Sequence, residues 1–259
     1  MGYNSVFAPG LFNGKVVIVT GAGSGMGRCT AHELAHLGAS VVIVGRNQEK
    51  LDKVIAEIAE DGGKATAMAC DVTDTASVNA LVARIEAEVG PIDILVNNAG
   101  ITIRAMIEDF AEDDWRKVMS LNLDSVFFVG QAVGRRMLTR GRGRIINICS
   151  VMSELARPGT APYAATKGAV KMLTKAMATE WGRKGVNVNG IGPGYFSTEL
   201  TVPLVQDKAF TAWLEGRTPI GRWGDVKELV GAAIFLASDA GSYVNGHILY
   251  VDGDRKSTR

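Results

Sequence analysis

Lys15-Val16-Val17-Ile18-Val19-Thr20 is apolar and β-branched almost throughout, and it ends on a glycine-rich turn followed by a helical pattern from Arg28 to Leu37. A strand without polar alternation has to be covered on both faces, which is the condition of a strand inside a parallel sheet. The unit then repeats. Val41-Val42-Ile43-Val44 is a second such strand, a helix over 49–60 leads to a strand at Ala65–Cys70, and a helix from about Thr75 to Val89 leads to Ile92–Val96. Arg144–Ile148, Val186–Ile191 and Ile248–Val251 supply later strands. Strands alternating with helices specify an α/β, doubly wound parallel sheet with ligands at the carboxyl ends of its strands. That rule sets Gly21, Asp71, Asn97, Ser150 and Pro193 along one edge.

No linker, repeat or low-complexity stretch interrupts the 259 residues, so residues 1–259 read as a single domain. A net charge of +1 gives no field to favour nucleic acid or a membrane surface. The one basic cluster, Arg135, Arg136, Arg140, Arg142 and Arg144, falls where a helix end and a turn need capping. Three cysteines, Cys29, Cys70 and Cys149, have no paired spacing, which points to a reducing compartment. There is no apolar run of about 18 residues and no charged-then-apolar leader at Met1-Gly2-Tyr3-Asn4, so the chain reads as cytoplasmic.

The first turn, Thr20-Gly21-Ala22-Gly23-Ser24-Gly25-Met26-Gly27, lies between a strand and a helix. Glycines there let backbone approach a pyrophosphate at the helix N-terminus. The pattern is T-G-x-x-x-G-x-G rather than G-x-G-x-x-G, and the alternative is a plain tight turn. Eighteen residues past Gly27 the second strand ends at Gly45-Arg46. An acidic residue at such a point bonds a ribose 2′-hydroxyl, whereas an arginine pairs with a 2′-phosphate, so Arg46 favours NADP over NAD. His32-Glu33-Leu34-Ala35-His36 matches the zinc pattern H-E-x-x-H. It sits in the helix after the glycine turn, one face of which packs on the sheet, and the chain has only one further histidine, His247. Structural or surface histidines account for it better, and no metal is expected.

Tyr163-Ala164-Ala165-Thr166-Lys167 puts a phenol and an ammonium one helical turn apart, with Ser150 thirteen residues upstream. A phenol ionises near ~10 and needs a neighbouring cation to act near neutrality. Lys167 is placed to be that cation, and Ser150 to hold a carbonyl oxygen, which suggests proton transfer to or from a carbonyl or alcohol. The spacing alone is common, and a packed tyrosine with a solvated lysine is the bland alternative. Cys149 follows an apolar strand with no histidine nearby, the setting of a buried structural thiol.

These landmarks occur in order with Asn97-Asn98-Ala99-Gly100, Asn122 in Leu121-Asn122-Leu123, and Pro193-Gly194. Over residues 13–253 the chain resembles the short-chain dehydrogenase/reductase family. The resemblance implies a Rossmann-type, seven-stranded sheet, a nicotinamide cofactor and a homotetramer. It implies Tyr163 as general acid in reduction and base in oxidation, Lys167 lowering the tyrosine pKa and holding the nicotinamide ribose, Ser150 on the substrate oxygen, and Asn122 keeping a water of a proton relay linked to Lys167. Gly21, Gly23, Ser24, Gly25, Met26 and Gly27 would hold the pyrophosphate, Asp71 and Val72 the adenine, and Asn98, Ala99 and Gly100 the adenosine ribose. Pro193, Gly194, Phe196 and Thr198 would frame the nicotinamide. A complete Ser150, Tyr163, Lys167 and Asn122 set argues against a non-catalytic dinucleotide-binding module.

Asn147–Ser150, Ser153–Pro158, Gly194–Glu199, Phe210–Leu214, Arg217–Pro219 and Arg222–Gly224 look like the gluconate 5-dehydrogenase (5-ketogluconate reductase) branch, which commonly uses NADP. On that resemblance the partner is a small carbonyl or polyol, with Arg104 facing a substrate carboxylate, Glu154 facing sugar hydroxyls, and a substrate loop at about 195–220 inserted after the sixth strand. Thr102-Ile103 stand where the branch often carries polar or basic residues, which keeps other keto sugars and bulky prochiral ketones as alternatives. The end also departs from the family, since Val251-Asp252-Gly253 runs into a polar tail from Asp254 to Arg259.

Overall fold

The computed structural model of the chain describes residues 7–199 and 201–257. Seven parallel strands form one sheet in the order β3-β2-β1-β4-β5-β6-β9. They are β1 (Val16–Thr20), β2 (Ser40–Gly45), β3 (Lys64–Ala69), β4 (Ile92–Asn97), β5 (Gly143–Ile148), β6 (Val186–Pro193) and β9 (Ile248–Val251). The doubly wound, seven-stranded expectation holds.

Side chains alternate across the strands and so divide the core in two. Val17, Val19, Val41, Ile43, Ile94 and Val96 point to one face, where α1 (Gly25–His36), α2 (Gln48–Glu60) and α9 (Val226–Ala237) cover them. Val16, Ile18, Val42, Val44 and Leu95 point to the other, under α3 (Thr75–Glu88), α5 (Ser125–Arg140) and α6 (Ala161–Trp181). Two such layers explain why the central strands are apolar without interruption. The edge strand β3 is instead only partly covered, with Lys64, Thr66 and Ala69 exposed.

Helix α1 begins at Gly25, three residues before the expected start at Arg28, because glycines in its first turn hide the helical pattern. The inserted segment differs more. It contains two helices, α7 (Val202–Gln206) and α8 (Lys208–Arg217), bracketed by a two-stranded parallel pair, β7 (Phe196–Ser197) with β8 (Gly224–Asp225). Asp207 caps α8 by accepting from the amides of Ala209 and Phe210, each at 3.0 Å. The remaining helix, α4 (Glu112–Met119), passes into α5 through a π-helical turn at Ser120–Asp124.

Candidate active site

The strand order reverses between β1 and β4, and a crevice opens there beyond the carboxyl ends of the strands. Gly21 at its floor has φ +65, and a Cβ on it would meet the Ala99 backbone at 2.8 Å. A Cβ on Gly27 would run into the Asn98 side chain and lie 2.6 Å from the Gly21 carbonyl. Asn98 explains this crowding: its amide nitrogen donates to the carbonyls of Thr20 at 2.9 Å and Gly21 at 3.2 Å. The backbone amides of Asn98 and Ala99 in turn donate to the Thr20 hydroxyl. The first turn and the end of β4 are thereby stitched into one wall.

Gly21, Ser24, Gly25 and Met26 line the cleft beside that wall, with the N-terminus of α1 at its edge. Arg46, Val72, Asn98, Ala99, Gly100 and Thr198 line it as well. Gly23 is not in the lining; a Cβ there would press on Lys50 at 3.3 Å. Asp71 faces an adjoining hollow that it shares with Arg46, Ser77 and Arg84, and its carboxylate accepts from the amide and hydroxyl of Thr73. These hydrogen bonds hold Asp71 below its usual range. An exposed arginine at the end of β2, unpaired among the described residues, with a glycine turn and a helix N-terminus alongside, fits a dinucleotide carrying a 2′-phosphate.

Met26, Asn98, Gly100 and Thr198 also line a second cavity, so the two spaces are continuous. Ser150, Tyr163 and Lys167 meet on its wall, with Pro193, Gly194, Phe196 and Arg104 around them. Ser150 follows β5 and caps the short helical turn at Val151–Ser153. The Ser153 hydroxyl bonds the amide of Ser150 and the carbonyl of Lys167, which ties that turn to α6.

Burial pushes the Tyr163 hydroxyl above its usual pKa, and a hydrogen bond with Ser150 opposes this without overcoming it. The Lys167 amine lies 5.7 Å from the Tyr163 ring centre and donates to the Ile148 carbonyl at 2.6 Å. Burial lowers its own pKa to about 8. The upward shift of the Tyr163 phenol favours its protonated form, the state a general acid needs.

Three sequence expectations need correction or refinement. Asn122 is fully buried, but its side-chain amide is committed to Ile101, accepting at 2.8 Å and donating at 2.8 Å, with a further bond to Thr166 at 3.4 Å. It braces the loop after β4. Glu154 lies outside the cavity lining, and Lys171 at 2.7 Å and Lys256 at 3.0 Å engage its two oxygens. The hydrogen bond from Lys171 is the main cause of its pKa falling to about 2. The polar tail packs on the domain as far as residue 257, with Arg255 buried beside Trp213 and Lys256 on Glu154; Thr258 and Arg259 lie outside the described residues.

His32 of the H-E-x-x-H stretch faces Glu57 at 3.3 Å and Asp61 at 3.7 Å, linking α1 to α2. Among the described residues there is no group of three side chains suited to a metal ion. Burial raises the Cys149 thiol to about 11.

Sequence reasoning missed Arg157, Thr160 and Tyr195 as lining residues. Nothing in local spacing marks them, because two loops that are distant in sequence bring them together. With Arg157 counted, the charged lining residues among those described are Arg104, Arg157 and Lys167, with no Asp or Glu among them.

The chain matches the short chain dehydrogenase family over residues 15–209 and belongs to it. It is an oxidoreductase of that family. A gluconate 5-dehydrogenase of Gluconobacter oxydans (strain 621H) is 58% identical over 247 residues, spanning 95% of this chain and 96% of that protein. A 5-keto-D-gluconate 5-reductase of Escherichia coli (strain K12) is 48% identical over 240 residues, 93% of this chain and 94% of its own length. A solved gluconate 5-dehydrogenase from Burkholderia cenocepacia J2315, in complex with NADP and tartrate, superposes with a TM-score of 0.93 at 53% identity, covering 96% of this chain and 98% of that one.

Proposed function

We propose that this chain is an NADP-dependent oxidoreductase that interconverts 5-ketogluconate and gluconate. The observation that carries the reading is the charge of the second cavity. Ser150 and Tyr163 stand where a carbonyl is polarised and protonated, and every charged lining residue is a cation. Lys167 serves the phenol and the ribose, which leaves two cations, Arg104 and Arg157, that a sugar acid can use and a neutral ketone cannot. The related enzymes from Gluconobacter and Escherichia act on this pair of compounds by name, and the Burkholderia protein holds NADP and the dicarboxylate tartrate.

Arg46 meets the 2′-phosphate in this reading, and the glycine turn with the amides of α1 meets the pyrophosphate. Asp71 and Val72 border the adenine, Asn98 to Gly100 the adjoining ribose, and Pro193, Gly194, Phe196 and Thr198 the nicotinamide end. The bound cofactor supplies the hydride. Ser150 orients the ketone oxygen, and Tyr163 delivers its proton to that oxygen in reduction and recovers it in oxidation. Lys167, held by Ile148, keeps a positive charge beside the phenol and the ribose. In this reading Asn122, on its π-helical turn with its side chain engaged by Ile101, helps hold a water linked to Lys167.

Residues 1–259 act in this reading as one catalytic unit, with the segment after β6 closing over the substrate. A homotetramer is supported by apolar side chains left exposed on neighbouring helices, Trp115 on α4 and Phe127 on α5. A cytoplasmic setting is supported by three free cysteines, and no helix among the described residues is long and apolar enough to cross a membrane. Light scattering of the purified protein tests the assembly.

The function is tested by incubating the enzyme with NADPH and 5-keto-D-gluconate and identifying the product. Stoichiometric gluconate is expected. Turnover of bulky prochiral ketones or neutral keto sugars with no gluconate formed contradicts the substrate, and cofactor binding without turnover of any ketone contradicts the enzyme.

A further inference from the structure

Arg157 and Arg104 reach the same cavity from different loops, Arg104 after β4 and Arg157 after β5. Among the described residues neither takes part in an ion pair. Burial, and next the charge of Arg157, lower the pKa of Arg104. Two like charges facing one space carry an electrostatic cost that a bound anion relieves.

The two arginines are held differently. The Arg157 guanidinium lies 5.0 Å from the ring centre of Phe210 and 5.9 Å from that of Tyr195. A guanidinium stacked against aromatic rings keeps its in-plane N–H edges available, and those edges match a carboxylate. Phe210 belongs to α8, and Tyr195 opens the inserted segment. Both rings pack on Trp223, at 6.1 and 5.9 Å. The inserted segment and Arg157 are therefore one packed cluster on the cavity wall.

We propose that Arg157 is a specificity residue that binds the carboxylate of the sugar-acid substrate and, through Phe210 and Tyr195, ties its binding to the position of the inserted helices. This rests on the sugar-acid reading above. Arg104 shares the carboxylate, and Arg157 alone couples it to α8. A neutral keto sugar gains nothing from that coupling, so the residue separates charged from uncharged substrates of equal length.

The test is steady-state NADPH oxidation by wild type, Arg157→Leu, Arg157→Lys and Phe210→Leu, each with 5-keto-D-gluconate and with D-fructose as a neutral ketose. Arg157→Leu should raise KM for the sugar acid about 10- to 100-fold, the value of a charge-assisted pair, with a much smaller change in kcat. The kcat/KM ratio of sugar acid to neutral ketose should fall by at least about tenfold. Arg157→Lys keeps the charge and loses the fork and the stack, so its ratio should lie between the two. Phe210→Leu should raise KM for the sugar acid and leave the neutral ketose nearly unaffected. NADPH binding followed by fluorescence checks folding, and the lysine variant decides the question if the leucine variant does not fold. Equal losses on both substrates, or an unchanged KM for the sugar acid, overturn the role of Arg157. A wild-type enzyme inactive on 5-keto-D-gluconate overturns the sugar-acid reading and this inference together, whereas an active wild type with an unselective Arg157→Leu overturns the inference alone.

Discussion

The buried amine of Lys167 on α6 donates a 2.6 Å hydrogen bond to the carbonyl of Ile148, the last residue of β5 and two positions before Ser150. That bond joins the helix carrying Tyr163 to the strand end carrying Ser150. It also costs the fold something, because the charged amine is taken out of water and its pKa falls to about 8.

The cost has a pH signature. An unfolded lysine keeps its proton up to about 10.4, and the folded one begins to release it near 8, so between these values the unfolded chain binds more protons. Stability from this group therefore rises with pH across that window, and the penalty is fully present below it. Urea unfolding of wild type and Lys167→Met from pH 7.5 to 10 should show wild type gaining on the variant, by up to roughly 3 kcal/mol. Parallel pH profiles would contradict the assignment.

Glu154 offers a contrasting case. Its pKa of about 2 lies below the unfolded value, so its contribution to stability is complete above about 4.5 and lost as the pH falls toward 2. Glu154→Gln should lower the melting temperature at pH 7 and loosen the tail at Lys256, with kcat/KM for 5-keto-D-gluconate changed by less than about threefold, as for a surface ion pair outside the cavity. A loss of about a hundredfold in kcat/KM would return Glu154 to the substrate site.

Arg46 lies exposed beside the cleft at the end of β2. Arg46→Asp replaces a phosphate partner by a repelling carboxylate, and the preference for NADPH over NADH should fall by about 10²-fold or more. Paired kcat/KM measurements with the two cofactors decide it, and an unmoved ratio would assign 2′-phosphate recognition elsewhere.

The sequence made the sheet legible because strands buried on both faces are written as unbroken apolar runs, such as Val16–Val19. The Ser150, Tyr163 and Lys167 cluster was legible because one helical turn and one strand end fix it locally. Two kinds of residue were not. The side chains of Asn122 and Glu154 are directed by partners far along the chain, Ile101 and Lys256, and no spacing rule predicts those. Arg157 packs on the cavity wall against Tyr195 and against Phe210 of α8, about 40 to 50 residues further along the chain, and no local spacing marks a contact of that range. The direction of the Tyr163 shift was also hidden, since the burial that raises it comes from surroundings that only the fold assembles.

Tyr163→Phe removes one oxygen and leaves the ring, its packing and the Lys167 to Ile148 bond in place. NADPH oxidation with 5-keto-D-gluconate, measured beside NADPH affinity, tests the proton-transfer account most directly. The account predicts a fall in kcat of about 10²- to 10⁴-fold with NADPH affinity kept within a few-fold. A variant that turns over at the wild-type rate would contradict it.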